Sequence, residues 1–249
     1  MRTRLVSCCL AFLAASAQAP AEGLRGLNAR LAKFNVVDKS FGDALRELAL
    51  QSRANLVVGF EPADSPQGEA PMIRVAIESG TAGDALALMC AADTRYIYSE
   101  VLPGVVEVRP VQPPLAASAL MDLPVPGFAI KVHDWPFNLF GRIQELLPAL
   151  SEYMRVKATE WPTQAGRPYP GSPGITMTTN VPPPLTTIRV ESTTVRGVLD
   201  ALAAYTLAHG SRNPAAKPYL PPVGWRFDFT ADSRAPTGLG GYARWSAFP

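Results

Sequence analysis

Apolar positions along the chain change between a period of two and a period of 3.6, and the changes come in a recurring order. Residues 33–37 (KFNVV) have the pattern of a short strand. Phe41, Ala44, Leu45, Leu48 and Ala49 then fall at i, i+3, i+4, i+7 and i+8, one apolar face of a helix. Ser40 precedes that face with Asp43 three residues on, a capping box whose side chains satisfy N–H groups the first turn leaves without partners. Residues 55–60 (NLVVGF) predict the returning strand. The order then restarts. Ile73, Val75 and Ile77 alternate, Thr81 and Asp84 repeat the box, and Ala82, Ala85, Leu86, Met89 and Cys90 form the next helical face. Residues 96–100 and 105–109 predict a hairpin around Pro103-Gly104.

The two helix openings use the same words, Gly42-Asp43-Ala44-Leu45 and Gly83-Asp84-Ala85-Leu86, 41 residues apart. Residues 111–127 are rich in Pro and Ala and predict a linker. Beyond them the theme returns more loosely. Residues 130–134 (IKVHD) predict a strand, and Phe140, Ile143 and Leu147 share one helical face. Asp134 and Phe137 stand 96 residues after Asp38 and Phe41. Ile188, Val190, Ser192, Thr194 and Leu199 stand 113 residues after Val75, Ile77, Ser79, Thr81 and Leu86. An insertion at 161–184, dense in Pro, Gly and Thr, takes up the difference, and residues 225–230 (WRFDFT) and 242–248 predict a closing strand pair. The expected class is α+β: two small βαβ-βαβ domains, at 30–110 and 128–249, each a short mixed sheet with two helices on one face.

Composition adds an address. Arg2 and Arg4 precede the apolar run 5–17, and Ala17-Gln18-Ala19 has the small-x-small form of a signal peptidase site. The run is too short for a bilayer core of about 30 Å. Residues 1–19 therefore predict a cleaved secretory signal and a periplasmic or secreted protein without stable membrane insertion. Leu5-Val6-Ser7-Cys8 has the letters of a lipoprotein box but precedes the apolar run, so lipidation is not expected. The 23 basic residues exceed the 21 acidic ones only by Arg2 and Arg4, so removing the signal leaves no net charge. That balance argues against nucleic-acid partners. Cys8 and Cys9 leave with the signal, and Cys90 alone has no internal disulfide partner; it is expected as a buried small residue.

With these elements in order, residues 30–110 resemble the short N-terminal (STN) domain shared by secretins and TonB-dependent receptors. The resemblance rests on the helix start Ser40-Phe41-Gly42-Asp43-Ala44-Leu45 and on the helix end running into a Val-rich strand, Gln51-Ser52-Arg53-Ala54-Asn55-Leu56-Val57-Val58. It continues through the second strand and helix to Tyr96-Ile97-Tyr98 and Val105-Val106-Glu107-Val108-Arg109. Asp93-Thr94-Arg95 stands where family members often carry Thr-Gly-Leu, and the second domain looks like a divergent copy. No segment long enough for a receptor barrel or a secretin ring follows in this sequence. The resemblance implies docking of periplasmic or outer-membrane proteins, with no cofactor.

Candidate chemistry is sparse, and no enzyme activity is expected. His133 and Asp134 are adjacent, and neighbours on a strand point to opposite faces. His209 precedes Gly210 at a helix end, where a cation suits the dipole. No zinc spacing and no nucleophile-elbow motif is present. Gly238-Leu239-Gly240-Gly241 precedes no helix and predicts a hairpin tip; Asp43 and Asp84 are explained by capping. Catalytic and metal residues are therefore expected to be none. Trp161 and Tyr169, each followed by Pro, are the candidates for a ligand groove in the insertion. They keep open the alternative of a secreted ligand-binding protein or hydrolase-like enzyme.

Overall fold

A computed structural model of the chain describes residues 25–52, 54–63, 70–132, 140, 143–153, 186–210, 221–231 and 241–249. The first half comprises β1 (Arg30–Leu31), β2 (Phe34–Lys39), α1 (Phe41–Ser52), β3 (Val57–Phe60), β4 (Ile73–Ile77), β5 (Gly80–Thr81), α2 (Ala82–Ala92), β6 (Tyr96–Leu102) and β7 (Val105–Pro110). Next come α3 (Leu115–Met121), β8 (Pro124–Val125), β9 (Phe128–Val132) and α4 (Ile143–Leu146). The chain closes with β10 (Thr186–Val190), β11 (Thr193–Thr194), α5 (Val195–His209), β12 (Gly224–Ala231) and β13 (Gly241–Phe248). The class is mixed α/β.

Local signals in the sequence account for most of these elements. In α1 the Asp43 N–H donates to Ser40 Oγ at 3.1 Å. In α2, Thr81 and Asp84 exchange both bonds of the capping box. The buried residues of α1 are the predicted apolar face, joined by Ser52. The hairpin β6–β7 turns at Gly104, whose φ of +83° suits glycine. The turn at Asp93-Thr94-Arg95 is held by a local ion pair. Asp93 is buried at the end of α2, and its carboxylate takes bonds from Arg95 at 2.8 and 2.7 Å, which holds it below the usual carboxylate range.

The main sheet has five strands in the order β13-β12-β3-β7-β6. Its centre, β3, runs parallel to β7 on one side and to β12 on the other, while β6–β7 and β12–β13 are antiparallel hairpins. All four residues of β3 are buried, as befits a strand covered on both faces. One face carries Val58, Phe60, Val106 and Val108 against α1 and α2. There Phe41 stacks on Tyr96 at 3.9 Å between centroids, and the Tyr96 hydroxyl accepts the Ala63 N–H at 3.0 Å. The other face carries Val57, Val105, Trp225, Phe227 and Trp245 against α3 and α5. Burying each large side chain contributes about 1.5–3 kcal/mol. Gly59 is required: a Cβ there would collide with the Trp225 indole.

Among the described residues there are also four two-stranded pairs, and they repeat. Phe34 faces Ile77 in β2–β4, and Phe128 faces Val190 in β9–β10. Arg30 faces Thr81 in β1–β5, and Pro124 faces Thr194 in β8–β11. The offsets are therefore 94 residues on one strand and 113 on the other in both pairings. Thr81 and Thr194, 113 residues apart, cap equivalent helices.

Two expectations meet a different arrangement. The stretch 111–127 is no open spacer. It forms α3 and β8 and buries Ala116, Ala117, Leu120 and Met121. Small Ala side chains allow this close packing, and Pro114 is tolerated because it stands just ahead of the helix. The halves also do not each complete a separate sheet, since β12 pairs with β3 through Trp225–Gly59 and Arg226–Phe60. Among the described residues, no helix is long and apolar enough to cross a membrane.

Candidate functional site

Trp161 and Tyr169, the residues singled out for a ligand groove, lie outside the described residues, as do His133 and Asp134. Trp225 and Trp245 are core. His209 ends α5, stacks on Tyr205 at 4.2 Å and places Nδ1 3.1 Å from the Tyr205 carbonyl. Cys90 packs partly buried against the core, and burial pushes its thiol up to about 11, which leaves it a poor nucleophile. Among the described residues, no group of three or more His, Cys, Asp or Glu is placed to hold a metal ion.

Two features stand out instead. The first is polar and buried, where the sheet meets α5. Strand alternation puts Glu107 on the same face as Val105, under the helix. Glu107 lies opposite Gly59 in the β3–β7 register, and Trp225 lies opposite Gly59 on the other side. The Trp225 Nε1–H donates to Asp200 Oδ1 at 2.8 Å, and Asp200 and Glu107 hydrogen-bond to each other. Arg196, one turn earlier on α5, pairs with Glu61 just past β3 and reaches Asp122 at 3.3 Å and Glu107 at 4.0 Å. Burial pushes the Glu107 carboxyl up to about 8, helped by the neighbouring Asp200. Burial also raises Asp200, against the opposing effects of its bonds to Glu107 and Trp225 and the charge of Arg196.

With 4% of Glu107 and 5% of Asp200 exposed, no substrate reaches these carboxyls. The cluster joins structure; it does not present a catalytic acid to solvent. Glu61 also borders a shallow cleft with Pro62, Pro110, Pro113, Pro114, Phe227 and Phe229. It has room for about one water.

The second feature is an edge. Among the described residues β6 pairs only with β7, and β13 ends the other side of the sheet. Arg95 O accepts the Val111 N–H at 2.8 Å, so that end of the ladder points inward at Arg95. By antiparallel alternation, the backbone groups of Tyr98 and Glu100 then point outward. Ile97, Val101 and Leu102 leave about two fifths of their surfaces in solvent. Val111, diagonal to Ile97 on the same face, is exposed as well. A strand end with outward backbone groups and exposed apolar side chains is suited to pairing with another extended chain.

Comparison with known proteins gives this chain no relative: no family model, no curated protein and no solved structure matches it.

Proposed function

We propose that the chain is an exported interaction module of the bacterial envelope. It consists of two βαβ-βαβ units like the N-terminal domain of secretins and TonB-dependent receptors, fused along β3 and β12. It docks an extended segment of a periplasmic or outer-membrane protein on β6, without catalysis. The observation that carries the reading is β6 itself, an edge with outward backbone groups and exposed Ile97, Val101 and Leu102. Strand addition uses such edges: main-chain bonds supply affinity, and alternate side chains supply selectivity. The shared register of β2–β4 and β9–β10 supports the two-unit reading. The signal-like residues 1–19 support export.

The test immobilises the full mature chain and an Ile97→Lys/Val101→Lys variant, and passes periplasmic and outer-membrane extract over both. Edge lysines discourage strand pairing. The expected result is a protein retained by the wild type and lost by the variant, with equal melting of the two chains. Equal retention by both, or none by either, would contradict the reading.

A further inference from the structure

The buried polar cluster leads beyond the docking reading. It ties together elements from both halves of the chain: Glu107 on β7 and Glu61 after β3, with Arg196 and Asp200 on α5 and Trp225 on β12. We propose that Glu107, Asp200 and Arg196 form an acid-tightened latch that holds α5 on the sheet and weakens as Glu107 loses its proton.

The geometry supplies the device. Asp200 accepts from the Trp225 indole and shares a hydrogen bond with Glu107, and two carboxyl groups can share one only while a proton remains between them. Once that proton is gone, two buried carboxylates face each other. Arg196 is the nearest cation, and it is already engaged by Glu61 and Asp122. The Glu107 Oε1 atom is buried without a hydrogen-bond partner, so no second donor stands ready to replace the lost bond. The other charges facing Glu107 are Arg109 on its own strand, which favours ionisation, and Asp122 after α3, which opposes it. Opposite it in register, β3 offers Gly59 and β6 offers Ser99, neither charged.

The direction follows from linkage. Glu107 titrates near 8 when latched, against 4.5 for an ordinary glutamate. The open form therefore releases its proton first, and the latch loses stability as pH rises from about 4.5 to about 8. Below that window both forms are protonated; above it both are ionised and the dependence ends.

The experiment is amide hydrogen exchange of the full chain between pH 5.5 and 7.5, corrected for the intrinsic rate. Opening of α5 in the wild type is expected to rise by up to about tenfold per pH unit. In Glu107→Gln, which keeps a donor to Asp200 and cannot ionise, the corrected opening should not vary with pH. Asp200→Asn removes the facing carboxylate but leaves Glu107 buried, so its profile should be shallower than that of the wild type, which provides a second variant if the first folds poorly. Equal corrected pH dependence in the wild type and the folded variants, or a flat wild-type profile, would overturn the proposal.

Discussion

The helices α2 and α5 occupy equivalent places 113 residues apart, and they bury different surfaces. Ala82, Ala85, Leu86 and Met89 form the buried stripe of α2; Val195, Val198, Leu199 and Leu202 repeat it in α5. The positions beside the stripe diverge. Gly83 and the exposed Ala87 of α2 correspond to Arg196 and the buried Asp200 of α5. Gly83 sits against the Leu27 carbonyl, with little space for a side chain, whereas Arg196 spans to Glu61, Glu107 and Asp122. A helix that packs only within its own half of the chain needs an apolar stripe. One that also covers a strand of the other half has a wider buried arc, and here part of that arc is polar and paired.

The largest effect should come from removing the Trp225 anchor. Trp225→Ala would leave a cavity beside Gly59 and strip Asp200 of a donor. We expect a loss of about 3–5 kcal/mol in urea unfolding. If α5 and β12 were only loosely tied to the first half, the cost would be small and confined to the tryptophan signal.

Giving α5 the residue that α2 has is the next test. Arg196→Gly strands the buried Glu61 carboxylate. Breaking one side of a buried pair costs about 3–5 kcal/mol, and a Glu61→Gln/Arg196→Gly double variant should recover part of it. No recovery would mean that the pair is not coupled.

The smallest difference lies in the caps. Thr81 exchanges two bonds with Asp84, whereas Thr194 only accepts from the Gly197 N–H, at 3.3 Å. Thr81→Ala should cost about 1 kcal/mol and Thr194→Ala less, read as a difference in melting temperature. Restoring the box with Gly197→Asp should not stabilise, because a Cβ at 197 would collide with the Thr193 hydroxyl. A clear gain in melting temperature would show that the caps are more alike than the geometry implies.

What could be read from the sequence was what short windows encode. The cap at Ser40, the box at Thr81, the apolar faces of α1 and α2, both hairpins and the 113-residue offset all appear as sequence pattern. The parallel pairing of β12 with β3 was not legible, because it joins Trp225 to Gly59 across most of the chain. The run Val57-Val58-Gly59-Phe60, apolar without alternation, was the one trace of a strand covered on both sides. Residues 111–127 read as a linker because Pro flanks conceal the short helical stretch LAASALM. In the candidate site, Glu107 shares strand parity with buried Val105, which is a usable signal for a buried acid. Its partners Asp200 and Arg196 belong to the other half, so no pattern within either half connects them.

The joining of the two halves into one cooperative body can be tested with probes the chain already carries. All four Trp residues lie beyond residue 134, and Cys90 lies on α2 in the first half. Urea unfolding of the mature chain, followed at once by tryptophan fluorescence and by Cys90 thiol labelling, should give superimposable transitions. Separate midpoints, with Cys90 labelled while the tryptophan signal remains native or the reverse, would show that the halves unfold independently and that the shared sheet does not couple them.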